Sequence, residues 1–394
     1  MRIAVVNNFF PPRVGGSSHL SDSLARGYAE HGHEVLVVTA AYQGSPEQED
    51  RDGLHITRLP AVVLPETRMA LNFDIAFTTR PSLRRQVARV LDSFGPDALH
   101  QHGQFFDLTW ATGLWARHRG VPALLSVHTR LESPSPLTSA AFRMADATLV
   151  APILRRYRPT FVVMDVQMDE YIRTRYADAI GGMEYIPVGV DPDWVLGGDG
   201  TRVRRQYGLG ERPVVLSLGH VIPLRDRIML VEALPMLRAA VPDVRVLVVG
   251  HVYYDEFLAR AQHLGVADLV VAVGPVTRAE VPDYLAAATV EAHDLQGYGF
   301  GTASLESMAA AVPVVAAVRA DNFPTVDLID GEHCLLVPEG DVSALAHALA
   351  RVIEDRDLHD LVGQRGRSLV RRHFALDVVI EQHLRVLERL ASDQ

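Results

Sequence analysis

Ile3-Ala4-Val5-Val6 and Glu34-Val35-Leu36-Val37-Val38-Thr39 bracket a segment in which Leu20, Leu24, Gly27 and Tyr28 recur at three- and four-residue spacing. Two β-branched apolar runs around one helical period predict a strand, a helix and a second strand. His31-Gly32-His33 supplies the glycine at which such a helix ends. Strands joined by a helical crossover run parallel and are buried on both faces, which is why neither run alternates with polar residues. The fold class is therefore α/β, with a doubly wound parallel sheet.

The pattern continues outward from this unit. Strands are expected at His55–Arg58, Ala98–His100, Ala123–Val127, Ala147–Val150 and Thr160–Met164, with helices over Ser82–Leu91 and Leu108–Arg117. A second unit of the same kind opens at Val214–Leu218, passes through a helix over Ile228–Ala239 and returns at Val244–Val249. It proceeds through Leu269–Val273, Thr289–Ala292, a helix at Thr302–Ala311, Val312–Val318 and Cys334–Val337 to amphipathic helices from Val342 onward. Ile186-Pro187-Val188-Gly189-Val190-Asp191-Pro192 punctuates the chain between the halves. Domains are thus expected at 1–188 and 189–375, with a final helix at 376–394 packing back toward the first.

Composition narrows the chemistry. The 394 residues are 48% hydrophobic, enough for two cores, and the net charge of −10 with scattered arginines argues against a nucleic acid partner. One cysteine, Cys334, permits no internal disulfide and fits a reducing compartment. No export signal is read at the amino terminus, and apolar stretches such as Ala309–Val318 meet proline or charge before the roughly 20 apolar residues of a membrane helix, so a cytoplasmic location is expected. All 38 basic residues are arginine. Without lysine there is no Schiff base, no pyridoxal phosphate and no phosphate loop ending in Gly-Lys-Ser/Thr. Any bound anion must meet arginine, histidine, backbone amides or a metal.

Three strand-to-helix turns are candidates for such binding. The first runs from Asn7 to Ser18 and carries Gly15-Gly16 at a helix start, where a backbone comes close to a diphosphate and free amides favour negative charge. A glycine-rich loop with a serine cap is the plainer reading, and the dinucleotide fingerprint spacing is absent. The second, Gly219-His220-Val221-Ile222-Pro223-Leu224-Arg225-Asp226-Arg227, offers Arg225 to phosphate oxygens; a solvated helix start is its alternative. The third, Tyr298-Gly299-Phe300-Gly301-Thr302, runs into a helix carrying Glu306, a carboxylate suited to a ribose diol or simply to the helix dipole. His100 and His102 lack neighbouring ligands at metal spacing, and no metal or cofactor is expected.

Phe10-Pro11-Pro12 with Gly15-Gly16, Gly32-His33-Glu34-Val35, Ile186-Pro187-Val188-Gly189-Val190-Asp191, Gly299-Phe300-Gly301 with Leu305-Glu306-Ser307-Met308-Ala309, and Pro313-Val314-Val315 occur in this order. Together they resemble the retaining glycosyltransferases of family 4, over nearly the whole chain. The resemblance implies a GT-B fold, two Rossmann-like domains facing across a cleft, with a nucleotide-sugar donor held mainly by the second and an acceptor by the first. It places Gly15 and Gly16 against the donor diphosphate, Arg225 at a basic position usually lysine, Glu306 on the ribose, His128 near the reacting sugar and His102 on the acceptor side. It makes a small molecule, lipid or glycan the acceptor.

Four positions depart from the family pattern. Tyr298 stands where a glutamate is usual, with Asp294 four residues earlier; His220 replaces an arginine, Asp226 a glycine, and Thr325 the glutamate of a Pro-Glu pair. These departures keep two other readings open, a nucleotide-sugar-binding subunit without catalysis and a GT-B epimerase. Arg80, Arg84, Arg85 and Arg89 on or beside one helix read as a solvated charged face, with peripheral contact to the inner face of a membrane as the alternative.

Overall fold

The computed structural model describes residues 1–13, 15–64, 75–78, 82–133, 135–223, 225, 227–297 and 299–393. The chain divides into two compact units, Met1–Met164 with Met168–Ile186 and Val379–Gln394, and Asp165–Gln167 with Pro187–Val378.

The first unit carries β1 (Arg2–Asn7), α1 (Gly16–Glu30), β2 (Glu34–Ala40), β3 (Gln48–Arg51), β4 (Leu54–Leu59), β5 (Val62–Leu64), β6 (Ile75–Phe77), α2 (Leu83–Phe94), β7 (Ala98–His102), α3 (Asp107–Arg119), β8 (Ala123–Ser126), α4 (Pro136–Ala145), α5 (Ala151–Tyr157), β9 (Thr160–Val163), α6 (Val166–Tyr176) from Met168 onward, and β10 (Gly182–Tyr185). Eight strands form one sheet in the order β10-β9-β8-β7-β1-β2-β4-β3. All pairs are parallel except β3 with β4, where an antiparallel strand closes the edge. Ile3 to Val6 lie opposite Val35 to Val38, all eight buried, as expected of central strands covered on both faces.

The second unit carries α7 (Gly200–Gln206), β11 (Val214–Leu218), α8 (Ile228–Ala240), β12 (Arg245–Val249), α9 (Glu256–His263), β13 (Val270–Gly274), α10 (Val281–Ala287), β14 (Val290–Glu291), α11 (Thr302–Ala309), β15 (Val315–Ala316), β16 (Leu335–Leu336), α12 (Val342–Glu354) and α13 (Arg356–His373). Its parallel sheet runs β13-β12-β11-β14, and a bridge from Glu291 to Val314 leads to the β15-β16 pair. The last helix, α14 (Leu376–Ser392), returns to the first unit from Val379 onward. There Ile380 fills the space over Gly27 of α1, where an added Cβ would lie 2.2 Å from its Cδ1. Gly27 was read as part of the helical period; it is also the seat of the terminal helix.

One predicted strand is wrong. Ala147–Val150 lies within a helical run, Asp146–Val150 being a π-helical turn between α4 and α5. Of this apolar run only Val150 is buried, so it lacks the two-sided burial of a central strand. The helical run Pro136–Tyr157 is 22 residues and, by length and composition, apolar enough to cross a membrane, a segment the sequence reading passed over.

The carboxyl ends of β11 and β12 approach through two glycines with positive φ, Gly219 (132°) and Gly250 (134°). A Cβ on Gly250 would lie 2.5 Å from the Gly219 carbonyl oxygen and 2.9 Å from the His220 nitrogen, both backbone atoms with no rotamer in which to escape. Gly250→Ala is expected to destabilise the protein by about 1–3 kcal/mol, read by urea denaturation; an unchanged midpoint would mean that the two strand ends separate freely.

Candidate functional site

In an open parallel sheet, ligand-binding groups collect beyond the carboxyl ends of the strands. In the second unit these ends are Gly219 after β11, Gly250 after β12 and the segment from Ala292 to Gly301 after β14. Beyond Gly219, His220 is exposed, and its Nδ1 accepts the His251 N–H at 3.0 Å, so the neutral ring carries its proton on Nε2. Burial, then His251 and Arg227, lower its pKa and favour that neutral form. Arg225 is exposed, in a tight turn in which its N–H donates to the Ile222 carbonyl at 2.7 Å.

Arg227 behaves differently from the solvated helix start that was its alternative reading. It is buried, in the left-handed region at φ 61°, and its Nε donates to Ser217 Oγ at 2.8 Å while Nη1 donates to the Arg225 carbonyl at 2.9 Å. Nothing in the sequence distinguished it from its neighbour; only the return of the chain over Ser217 does.

The turn into α11 is held by a buried polar knot. Gly301 N–H donates to Asp294 Oδ2 at 2.5 Å, and Ser304 Oγ lies 2.9 Å from the same oxygen and 3.1 Å from Glu291 Oε2. His293 bonds Glu291 through Nδ1 and lies 3.2 Å from Asp294 Oδ1 through Nε2. Burial alone would raise the Asp294 carboxyl; His293 and Arg225, then the Gly301 amide and Arg227, outweigh it and hold the group below its usual range. Gly299 takes φ 100° and the Phe300 N–H donates to Asn322 Oδ1 at 3.2 Å, so glycine is required at the first of these positions by conformation. Thr302 opens α11 and is exposed. Tyr298 lies outside the described residues, as does Asp226.

Glu306 is buried one turn into α11, and its Oε1 meets Arg278 Nη1 at 3.3 Å. The Arg278 guanidinium sits 4.2 Å above the Trp194 ring. Burial raises the Glu306 pKa and Arg278 pulls it back. His220, Arg225, Gly299, Phe300, Gly301, Thr302 and Glu306 thus belong to one unit, with Asp294 under the influence of Arg225 and Glu306 under that of His293 and Arg278. Sequence reasoning missed Arg227, Arg278, Glu291, His293 and Ser304: Arg227, Arg278 and Ser304 meet partners 10 to 28 residues away, while Glu291 and His293, two residues apart, are turned onto each other by the bend after β14.

In the first unit, Gly15 and Gly16 open α1, and a Cβ at either would meet nothing within 4 Å. Gly15 is extended, at φ 166°, a conformation open to any residue, so neither packing nor backbone demands glycine there. His102 and His128, the two other candidates, stand together: His102 Nδ1 is 2.8 Å from His128 Nε2 and the rings stack at 5.1 Å. They are half of a buried cluster completed by His100 and by His383 of α14, whose rings lie 4.3 Å and 5.0 Å from one another's neighbours, His102 to His100 and His100 to His383. His100 is also held by Tyr28 Oη at 2.9 Å and Ser126 Oγ at 2.8 Å. His102 Nε2 is buried with no hydrogen-bond partner among the described residues.

Two predictions follow from these environments. Burial pushes His128 and His383 down to about 4, and lowers His100 and His102 well below their ordinary value. The native cluster is therefore neutral while the unfolded chain takes up protons near pH 6.5. Stability should be full above that pH and fall as pH drops from about 6.5 toward 4, by roughly 1 kcal/mol per pH unit for each histidine kept neutral. Urea denaturation at pH 7.5, 6.5 and 5.5 reads this, and a flat profile would contradict a neutral cluster.

The second concerns Glu306. Removing its partner by Arg278→Ala should raise its pKa further, so any ligand affinity that needs the carboxylate is lost at higher pH than in wild type. Titrating nucleotide affinity against pH for the two proteins checks the direction of that displacement.

Comparison with known proteins adds to this geometry. Residues 15–189 match the model of a glycosyl transferase 4-like domain, and residues 212–355 that of glycosyl transferases group 1. A GDP-mannose-dependent alpha-(1-6)-phosphatidylinositol monomannoside mannosyltransferase of Mycolicibacterium smegmatis is 31% identical, over 95% of this chain and 93% of its own. A D-inositol 3-phosphate glycosyltransferase of Acidothermus cellulolyticus is 27% identical, over 96% and 89%. Among solved structures, a sucrose-phosphate synthase from Thermosynechococcus elongatus superposes with a TM-score of 0.74 at 21% identity, covering both chains completely.

Proposed function

We propose, for a chain that belongs to the family 4 glycosyltransferases and moves sugar from a nucleotide-sugar donor, that the donor is GDP-mannose, that the linkage is formed with retention, and that the acceptor carries an inositol headgroup. The observation that carries the reading is the second unit's set of groups at strand ends: exposed Arg225 and His220 at one turn, and buried Glu306 beside the glycine turn Gly299–Gly301 at the other. The two relatives support the acceptor, since one is named for a phosphatidylinositol mannoside and the other for inositol 3-phosphate.

In this reading the bond between the anomeric carbon and the diphosphate oxygen breaks while the acceptor oxygen bonds the same face. The acceptor proton passes to the departing phosphate, so no protein carboxylate attacks the sugar. Negative charge grows on the leaving diphosphate, and Arg225 with the Nε2–H of His220 neutralises it as it forms. The positive charge is the protein's own, so the reaction needs no metal. Glu306 takes the ribose hydroxyls, its carboxylate kept available by Arg278. On the first unit, His128, half-buried, is the neutral ring offered to the sugar, while His102, fully enclosed, holds the His128 Nε2 and acts through it.

The test is turnover with a panel of GDP- and UDP-sugars and phosphatidylinositol or mono-mannosylated acceptors, products read by mass spectrometry and their anomeric configuration by NMR. Transfer of mannose with retained α configuration is expected; change of the free donor without acceptor would instead indicate an epimerase, and binding without turnover a non-catalytic subunit. Arg225→Ala should lower kcat/KM by about 10²-fold and Arg225→Lys by about tenfold or less if charge, rather than the planar fork, is what the diphosphate needs.

A further inference from the structure

Among the helices of the first unit that present arginine to solvent, α2 and α4 differ in what their apolar sides do. In α2, Arg84, Arg85 and Arg89 are exposed, whereas Leu83, Val87, Leu91 and Phe94 are buried in the core beside the central sheet. The apolar side of α2 is already used, and its outer face is charge alone. Arg80 lies outside the described residues.

In α4 the situation is reversed. Not one of its ten residues is buried. Leu137 is 84% exposed and Met144 63%, with exposed Ala140 and Ala141 between them, and Leu149 continues the exposed apolar surface one turn further on. Residues three, four and seven apart share one side of a helix, so Leu137, Ala140, Ala141 and Met144 form a stripe. Ser135 caps the helix, accepting the Thr138 N–H at 3.4 Å, so the segment is an organised helix rather than a loose loop.

The rest of the run is fastened down. Asp146 is buried and accepts from Tyr171 Oη at 2.9 Å and Tyr176 Oη at 2.6 Å, with Arg175 at 3.5 Å. Val150, Ala151 and Leu154 belong to the core of the unit. The helical run therefore has one face in the protein and one outside, and although it is 22 residues in length it lies along the surface rather than leaving it.

Charge identifies what covers the outer face. From Pro136 to Arg158 the exposed charged residues are Arg143, Arg155, Arg156 and Arg158, and the single acidic residue in the stretch, Asp146, is turned inward. This occurs on a chain whose net charge is −10. An apolar stripe flanked by exposed cations, Arg155 alone of them ion-paired among the described residues, with Asp178 at 3.7 Å, is complementary to the headgroup layer of an anionic bilayer, where Leu and Met enter the acyl boundary and arginines meet phosphate.

We infer that the outer face of α4, with Leu137, Met144 and Leu149 as its apolar anchors and Arg143 and Arg156 as its cations, docks on an anionic lipid surface. The inference accords with a lipid acceptor but stands on this surface alone.

The experiment is co-sedimentation of the full chain with vesicles of phosphatidylcholine, with and without phosphatidylglycerol. Wild type is expected to bind the mixed vesicles, and Leu137→Gln/Met144→Gln to lose at least about tenfold in partition coefficient, given the apolar area withdrawn. Arg143→Gln/Arg156→Gln should weaken binding to the anionic vesicles selectively, and added salt should mimic it. Circular dichroism and GDP affinity of each variant, expected unchanged, show that the fold is intact. Failure of wild type to bind, or equal binding by the Leu137/Met144 variant, overturns the inference. So does a wild-type dimer in light scattering that the variant abolishes, since the face would then cover a second copy. Vesicle binding without mannosyl transfer, or transfer to a soluble headgroup without vesicle binding, separates this inference from the proposed reaction.

Discussion

The second unit turns on a buried carboxylate. Asp294 accepts the Gly301 amide and faces His293 and Ser304, and that group of contacts fixes the bend by which the chain leaves β14 and enters α11. A carboxylate removed from water is costly unless positive charge and donors converge on it, and here an imidazole, a hydroxyl and a backbone N–H do so, with two arginines acting at longer range. The consequence reaches Glu306, whose position one turn into α11 depends on where α11 begins. Geometry at the proposed ribose contact is thus set by residues that need not touch a ligand.

The same unit depends on close backbone approach. Gly219 and Gly250 let the ends of β11 and β12 converge within the space a methyl group would occupy. His220 follows directly and takes the His251 amide, so the orientation of its ring is a product of that convergence. Side chains that meet an anion must be held before it arrives if they are to act on charge that develops only during reaction.

Much of this was legible in the sequence where the physics is local. Ile3–Val6 and Glu34–Thr39 gave central strands because burial on both faces writes itself as an unbroken apolar run. Gly299 and Glu306 were legible because a glycine turn followed by a carboxylate one helical turn later is a short-range pattern. Ala147–Val150 misled for the opposite reason, since a short apolar run is compatible with strand or helix and only the anchoring of Asp146 by Tyr171 and Tyr176 decides. Arg227 and Arg278 were illegible as partners because Ser217 and Glu306 reach them through folding of the unit, His293 because the bend that turns it onto Glu291 and Asp294 leaves no mark in the spacing, and the histidine cluster because His383 lies over 250 residues from His128.

The absence of lysine takes on structural meaning at Arg227. Its Nε and Nη1 donate to different acceptors, Ser217 Oγ and the Arg225 carbonyl, in a fully enclosed setting. A lysine carries all its donors on one atom and is more strongly hydrated, so it would satisfy this site less well and lose more on burial. Arg225, exposed and two residues earlier, has no such constraint from the fold; a charged group of either kind could stand there. The two neighbouring arginines therefore divide the labour: one uses the fork to brace the turn from within, and the Arg225 carbonyl it grips is what holds the other's backbone in place.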